Sequence, residues 1–257
     1  MNDIIYNGQS LRDLGYAVKT FPVHTVAERD MEFSSVISRS GDIIIDNKRY
    51  KNVDIPPYEI NMIDFDRLQN TDANERRLID WLMAGDAEYN ILEDSTVPGY
   101  FCKAICKSIS DISRNGLPGY IDTAISFNRQ PFWYSKIGQK KLTFAASKTE
   151  QTIINPEKYS SEPYFKIITD GSGVNVGETS LIVNGEPYTL ANLMNYVEID
   201  SEAYRTFKGS EDKDDDAKYN YMPFFTPGEN TFSVEARFTS MQSHILSVEI
   251  IPRWRRL

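Results

Sequence analysis

Cysteine, histidine and tryptophan are scarce in this chain: two, two and three in 257 residues. The cysteines, Cys102 and Cys106, stand four apart. On a strand that separation is roughly 13 Å, beyond disulfide reach, so they read as two small core residues and mark no oxidising compartment. His24 and His244 have no cysteine cluster and no His-Glu spacing beside them, which argues against a zinc site. A Gly-x-Ser-x-Gly elbow is missing, as are the glycine patterns that cradle phosphate or a dinucleotide. Gly171-Ser172-Gly173 reads instead as a turn between strands. Basic charge is in deficit, with 28 Lys and Arg against 37 Asp and Glu, a net charge of −9 spread over both halves. That balance lacks the basic footprint of a nucleic-acid binder. No apolar run has the length of a transmembrane helix, and residues 1–15 lack the basic-then-apolar order of a signal peptide. The expectation is a protein made soluble in a cytoplasm, with no membrane partner.

Aromatic residues are plentiful, with fifteen Tyr and thirteen Phe, and large rings pack well on half-buried strands. Asp3–Tyr6 is a short β-like run closed by the turn dipeptide Asn7-Gly8. Leu14–Phe21 reads as a second strand. Residues 28–65 hold a polar turn at Arg39-Ser40-Gly41-Asp42 and an apolar run, Ile43-Ile44-Ile45. The spacing predicts a hairpin of Ile43–Ile45 with Tyr50–Ile55, joined through Asp46-Asn47-Lys48. Pro56-Pro57 removes two successive donors and marks an edge or a strand start. Tyr58, Ile60 and Met62 then alternate with Glu59, Asn61 and Ile63.

One amphipathic helix is predicted over about Thr71–Ala84. Asp72 and Glu75 have capping-box spacing, and Leu78, Ile79, Trp81 and Leu82 form the apolar stripe. Gly85 marks the end, and Trp81 belongs to the core. Strands follow at Tyr89–Leu92 and Tyr100–Ile109, then a turn at Asn115–Gly119. Ile121, Thr123, Ile125 and Phe127 alternate cleanly with polar or small residues. Beyond residue 147 the pattern is all β. Tyr164–Thr169 is a strand, Leu181–Val183 and Pro187–Leu190 form a hairpin about Asn184-Gly185, and Val197–Ile199 is short. Phe232–Phe238 and Leu246–Ile250 alternate, with Leu246, Val248 and Ile250 on one face. Short strands at regular spacing indicate a sandwich or barrel. The domain boundary is placed near 137–147, giving domains 1–140 and 141–257.

Few constellations carry chemistry. Asp212, Asp214 and Asp216 recur every second residue within Glu211–Asp216. The calcium-loop pattern fails, because Ala217 and Pro223 occupy the Gly and Glu positions. A solvated, mobile acidic loop fits better. Asp64 with Asp66, and Asp200 with Glu202, are spaced like a glycosidase pair but lack any cleft signature. Phe132-Trp133-Tyr134 reads as packing ahead of a sugar platform. The basic end Arg253-Trp254-Arg255-Arg256 suits pairing with an acidic surface or docking on a partner. No catalytic, metal or cofactor residue is assigned.

Several stretches, in order, carry a family resemblance. YNGQSLRDLGYAV (6–18) resembles an N-terminal strand with its glycine turn. ISRSGDIIIDNKRYKN (37–52) resembles a Pro-Gly-Arg-Asp-Gly turn and the hairpin after it, here with Pro absent. Residues 75–105 resemble the helix and the strands behind it. ISFNRQPFWYS (125–135) resembles the end of the first domain. Residues 154–173 with LIVNGEPYTL (181–190) resemble the opening of the second. The family is the distal tail (Dit) proteins of long-tailed phages infecting Gram-positive bacteria, most like those of lactococcal phages. The resemblance implies a mostly β fold. Its parts are an N-terminal β-barrel-like ring domain with one packed α-helix and a C-terminal galectin-like β-sandwich. It further implies a non-enzymatic structural hub in the tail tip or baseplate of the virion, synthesised in the host cytoplasm.

In that reading six copies close into a ring. Its partners are the tail-tube protein, the tail-associated fibre or lysin protein and the baseplate receptor-binding components, and phage DNA passes through the lumen without specific binding. Ring-interface candidates are Arg39, Gly41, Asp42, Ile43, Ile44, Ile45 and Tyr50. Partner-binding candidates are Glu211, Asp212, Asp214, Asp215 and Asp216. Two other classes stand beside this reading: a carbohydrate-binding module for the host surface using Trp133, and a glycan hydrolase using Asp64 or Asp200.

Overall fold

The structure is a computed structural model that describes residues 3–63, 71–110, 112–113 and 121–257. The predicted turn at 115–119 and the pair Asp64 and Asp66 lie outside the described residues. The fold is mostly β. The chain divides into two units, residues 3–133 and 134–256, so the division falls ahead of the expected one at 140.

In the first unit, β1 (Ile4–Tyr6) turns back into β2 (Gln9–Ser10) through Asn7 and Gly8, whose φ of 50° and 76° are both left-handed. Two such residues make the turn whose twist matches paired strands. The next elements are β3 (Tyr16–Thr20), β4 (Arg29–Ser34), β5 (Ile43–Tyr50), β6 (Val53–Met62), α1 (Thr71–Met83), β7 (Asn90–Asp94), β8 (Tyr100–Ile109) and β9 (Asp122–Ser135). The main sheet runs β2-β1-β7-β8-β9-β6-β3, while among the described residues β4 and β5 pair only with each other. Pro56 and Pro57 sit at a register shift between Ile55 and Tyr58, ahead of the first residue paired with β3, Glu59. A missing donor toward β3 is tolerated because that ladder has not yet begun, and one toward β9 falls within the register shift.

Alternation decides the core. Tyr58, Ile60 and Met62 of β6 face Ile125 and Phe127 of β9 in one buried cluster with Tyr6, Tyr16 and Leu92. Each such side chain contributes about 1.5–3 kcal/mol on burial. The helix adds Leu78 and Leu82, with Asn74 buried on the same line, the i, i+4 spacing of one face. Ile79, predicted in the stripe, is exposed, because one residue along a helix turns about 100° away from the buried line. Asp72 stands inside the first turn and not ahead of it, where its charge matches the positive end of the helix. Trp81 packs against the core and donates its indole N–H to the Tyr6 carbonyl at 3.1 Å.

The second unit is a two-sheet sandwich. One sheet runs β10 (Leu142–Ala145), β20 (Ile245–Ile251), β12 (Tyr164–Thr169), β15 (Tyr196–Asp200), β16 (Arg205–Lys208), β17 (Glu211–Asp212). The other runs β11 (Gln151–Asn155), β19 (Gly228–Ala236), β13 (Gly177–Val183), β14 (Glu186–Leu193), β18 (Ala217–Tyr219). Phe165, Ile167 and Val248 from the first meet Leu181, Tyr188 and Phe232 from the second in one core. Asn184-Gly185 forms the left-handed turn of the predicted hairpin, with Val183 opposite Glu186. The last long strand departs from its predicted phase: Ile245 is 4% exposed and Leu246 53%. A register shift against β12, where Ile168 pairs with Ser247 and Thr169 with Ile245, moves Leu246 to the outer face.

Candidate assembly surface

The predicted hairpin of Ile43–Ile45 with Tyr50–Ile55 does not form. Residues 43–50 are one strand, β5, and its partner is β4, which pairs Phe33 with Ile44 and Ser34 with Ile43. Asp46-Asn47-Lys48 is absorbed as a bulge inside β5: Met31 pairs with Asp46 and Arg29 with Tyr50, leaving extra residues on the β5 side. Lys48 takes a left-handed φ of 54°, and its N–H donates to Asp46 Oδ1 at 2.8 Å. Val53 onward joins the main sheet instead, with Val53 opposite Arg129. The signal for β4 was present, since Met31 and Phe33 alternate with Asp30, Glu32 and Ser34.

The result is an arm, a two-stranded ribbon tipped by residues 35–42. The expected Arg39–Asp42 turn lies in that tip, where Arg39 N–H donates to the Val36 carbonyl at 3.2 Å and Gly41 has φ 86°. Arg39, Gly41, Asp42, Ile43, Ile44 and Ile45 are all exposed, while Tyr50 at the root is half-buried. Apolar side chains face solvent here: Phe33 is 63% exposed, Ile37 95% and Ile44 60%. The Asp30 carboxylate accepts the Arg49 guanidinium N–H, which holds its pKa below the usual carboxylate value.

The acidic segment of the second unit carries secondary structure, where a loop was expected. Glu211 and Asp212 form β17, Asp214–Asp216 one short helical turn. Asp214 Oδ1 accepts the Thr206 N–H. Lys213 Nζ sits 2.7 Å from Glu211 and 3.4 Å from Asp216 and neutralises part of the cluster. Glu211, Asp212, Asp214 and Asp215 remain exposed, and Asp216 is half-buried.

The other sequence candidates are committed elsewhere. Asp200 receives both arms of the Arg253 guanidinium at 2.6 and 2.9 Å, and Glu202 accepts the Tyr134 hydroxyl at 2.6 Å. Burial raises the Asp200 pKa, but the Arg253 hydrogen bonds and charge outweigh it and hold the carboxyl below its usual value. Such carboxylates hold the C-terminal segment down. Arg255 does the same through Glu162 at 2.7 Å. His244 pairs with Asp170 at 2.7 Å, and His24 Nε2 meets Thr96 Oγ1 at 2.9 Å. Cys102 and Cys106 are buried free thiols, raised by desolvation to about 12 and about 11. Trp133 and Tyr134 are buried, so neither offers a face for sugar stacking.

No family model matches the sequence, and no curated protein sequence does. Solved structures do match, over nearly the whole chain. The Dit protein of SPP1, presented as a paradigm of the hub adsorption apparatus in phages infecting Gram-positive bacteria, is 14% identical; the match covers 97% of both chains with a TM-score of 0.65. A chain of the phage P2 baseplate in its activated conformation with Ca is 8% identical, covering 100% of this chain and 98% of that one, TM-score 0.55. The corresponding baseplate with Sr gives 9% identity, coverage of 100% and 97%, and a TM-score of 0.54. At such identities the likeness is one of fold: this chain has a Dit-like fold across both of its units.

Proposed function

We propose that this chain is a non-enzymatic structural hub of a phage tail tip or baseplate, and that six copies close into a ring. The observation that carries the reading is the fold match over 97% of both chains, which takes in both units together. The arm supplies the physical means. A two-stranded ribbon is marginal in water, and among the described residues no strand covers the outer edges of this one, which leaves backbone donors and acceptors open to a neighbour. Phe33, Ile37 and Ile44 add exposed apolar surface, worth about 1.5–3 kcal/mol each in gross terms when covered. One arm per copy, laid on the next copy in the same sense, is a head-to-tail contact, and such contacts close into rings when the rotation fits.

The ring joins the tail-tube protein to the tail-associated fibre or lysin protein and to the receptor-binding components. Exposed Glu211, Asp212, Asp214 and Asp215, with the half-buried Asp216, present an acidic surface suited to a basic receptor-binding partner. The net charge of −9 suits a protein that DNA passes without specific binding. The particle is a virion component, made in the host cytoplasm. Light scattering and electron microscopy of the purified chain test the reading. Six-membered rings are expected at micromolar concentration. A stable monomer, with no ring of this chain in tail tips, overturns it.

A further inference from the structure

The arm reaches the main sheet through two legs, and both end on one short piece of β9, residues 129–133. The outgoing leg is 21–28, which has neither helix nor strand. Its Thr25 carbonyl accepts the Arg129 guanidinium at 2.7 Å. The same guanidinium donates to the Gln130 carbonyl at 3.0 Å and the Pro131 carbonyl at 2.6 Å, and lies 5.3 Å over the Trp133 ring. The other side of this grip is His24. Its ring meets Trp133 edge-on at 6.0 Å, and its Nε2 is 2.9 Å from Thr96 Oγ1, which is itself held by Asp94 at 2.6 Å. The returning leg ends at Tyr50, whose ring meets Phe132 edge-on at 5.6 Å.

Arg129 is 2% exposed, and among the described residues no carboxylate forms an ion pair with it. A buried cation without a counter-ion is costly, so its hydrogen-bond partners must all be kept. Two of them belong to its own strand. Thr25, 104 positions away, is the one that ties a different segment. The planar five-donor fork of arginine can reach carbonyls on both segments at once, which the point charge of lysine cannot.

We propose that Arg129 is a positioning residue: it clasps the root of the arm to β9 and fixes the direction in which the arm leaves the sheet. The consequence for assembly rests on the ring reading above, since an arm of wandering direction cannot meet the next copy in one register. Loss of the clasp frees the arm as a body while the sheet beneath it stays folded.

Spin labels at Ile37→Cys in the tip and Asp80→Cys on α1, in full-length chain diluted with unlabelled protein, give the arm-to-body distance distribution. The native thiols are buried and stay unlabelled. A narrow distribution is expected with Arg129 intact, and one at least twofold wider in Arg129→Lys. His24→Ala, at an exposed position, loosens the same root and serves if the arginine variant fails to fold; it too should widen the distribution. Unchanged widths overturn the proposal. So does a widening matched by a control pair of labels within the sheet and helix, which reports general loosening. The two readings fail separately: a monomer whose distance widens in the variants keeps the clasp and loses the ring, whereas a ring with unchanged widths does the reverse.

Discussion

The β13–β14 hairpin of the sandwich and the β4–β5 ribbon of the arm are both antiparallel pairs rich in apolar side chains. In β13–β14, Leu181, Val183, Tyr188 and Leu190 are buried, and the pair is flanked by β19 and β18. In the arm, Phe33 and Ile44 stand opposite each other and face water, with no third strand among the described residues. Equivalent local chemistry thus stabilises one unit of this chain and leaves the other with an unfinished surface. Burial, not pairing, separates them: apolar area contributes only where something covers it.

Core truncation should separate the two regions most sharply. Leu181→Ala is expected to lower the stability of the second unit by about 2–5 kcal/mol, the range for a buried leucine. Phe33→Ala should change stability by about 0.5 kcal/mol or less, as exposed sites do. Urea unfolding of both variants measures this, and equal losses would place Phe33 in a core.

Ion pairs extend the contrast at smaller scale. Arg253 and Asp200 are less than a fifth exposed, whereas the Arg49 side chain is 75% exposed beside Asp30. Arg253→Gln should cost about 2 kcal/mol, as for hydrogen bonds to charged groups, and Arg49→Gln far less, as for a solvent-screened surface pair. The pH dependence follows from the depressed carboxyls. Asp200 is held below its ordinary value, and Asp170 is lowered to about 2 by the Ser172 hydroxyl first and His244 next. Their stabilisation is complete above the unfolded value near ~4 and is lost as pH falls through the lower folded values. Thermal unfolding of the second unit should therefore hold steady down to about pH 4 and weaken toward pH 2, and Arg253→Gln should flatten part of that decline. A melting temperature independent of pH across that window would contradict the assignment.

The smallest effect on folding is expected where assembly is most sensitive. Ile44→Glu should shift stability by less than about 0.5 kcal/mol and abolish the proposed ring, since it buries a charge only when a neighbour covers it. Sedimentation analysis beside a melting curve reads both quantities, and a variant that still forms rings would remove Ile44 from the interface.

Much of the chain was legible because the deciding forces are local. Asn7-Gly8 and Asn184-Gly185 take left-handed turns that few other residues tolerate, and the alternation at Ile121–Phe127 and the spacing of Leu78 and Leu82 announce their buried faces. The arm was harder. The turn-forming pair Asp46-Asn47 suggested a hairpin, yet pairing with Arg29–Ser34 absorbed it as a bulge and sent Val53 onward to another sheet. The clasp was invisible too, because Thr25 and Arg129 lie 104 residues apart and no local pattern links them.

The sequence by itself determined the mostly β composition, the helix, the tight turns and the acidic, cysteine-poor chemistry. Each of these follows from residues within a few positions of one another. Only the tertiary structure decided which strand β5 would pair with, which face Leu246 would take and what would hold the arm. Those outcomes depend on which distant backbone offers the better ladder, and that competition is settled by packing over the whole unit.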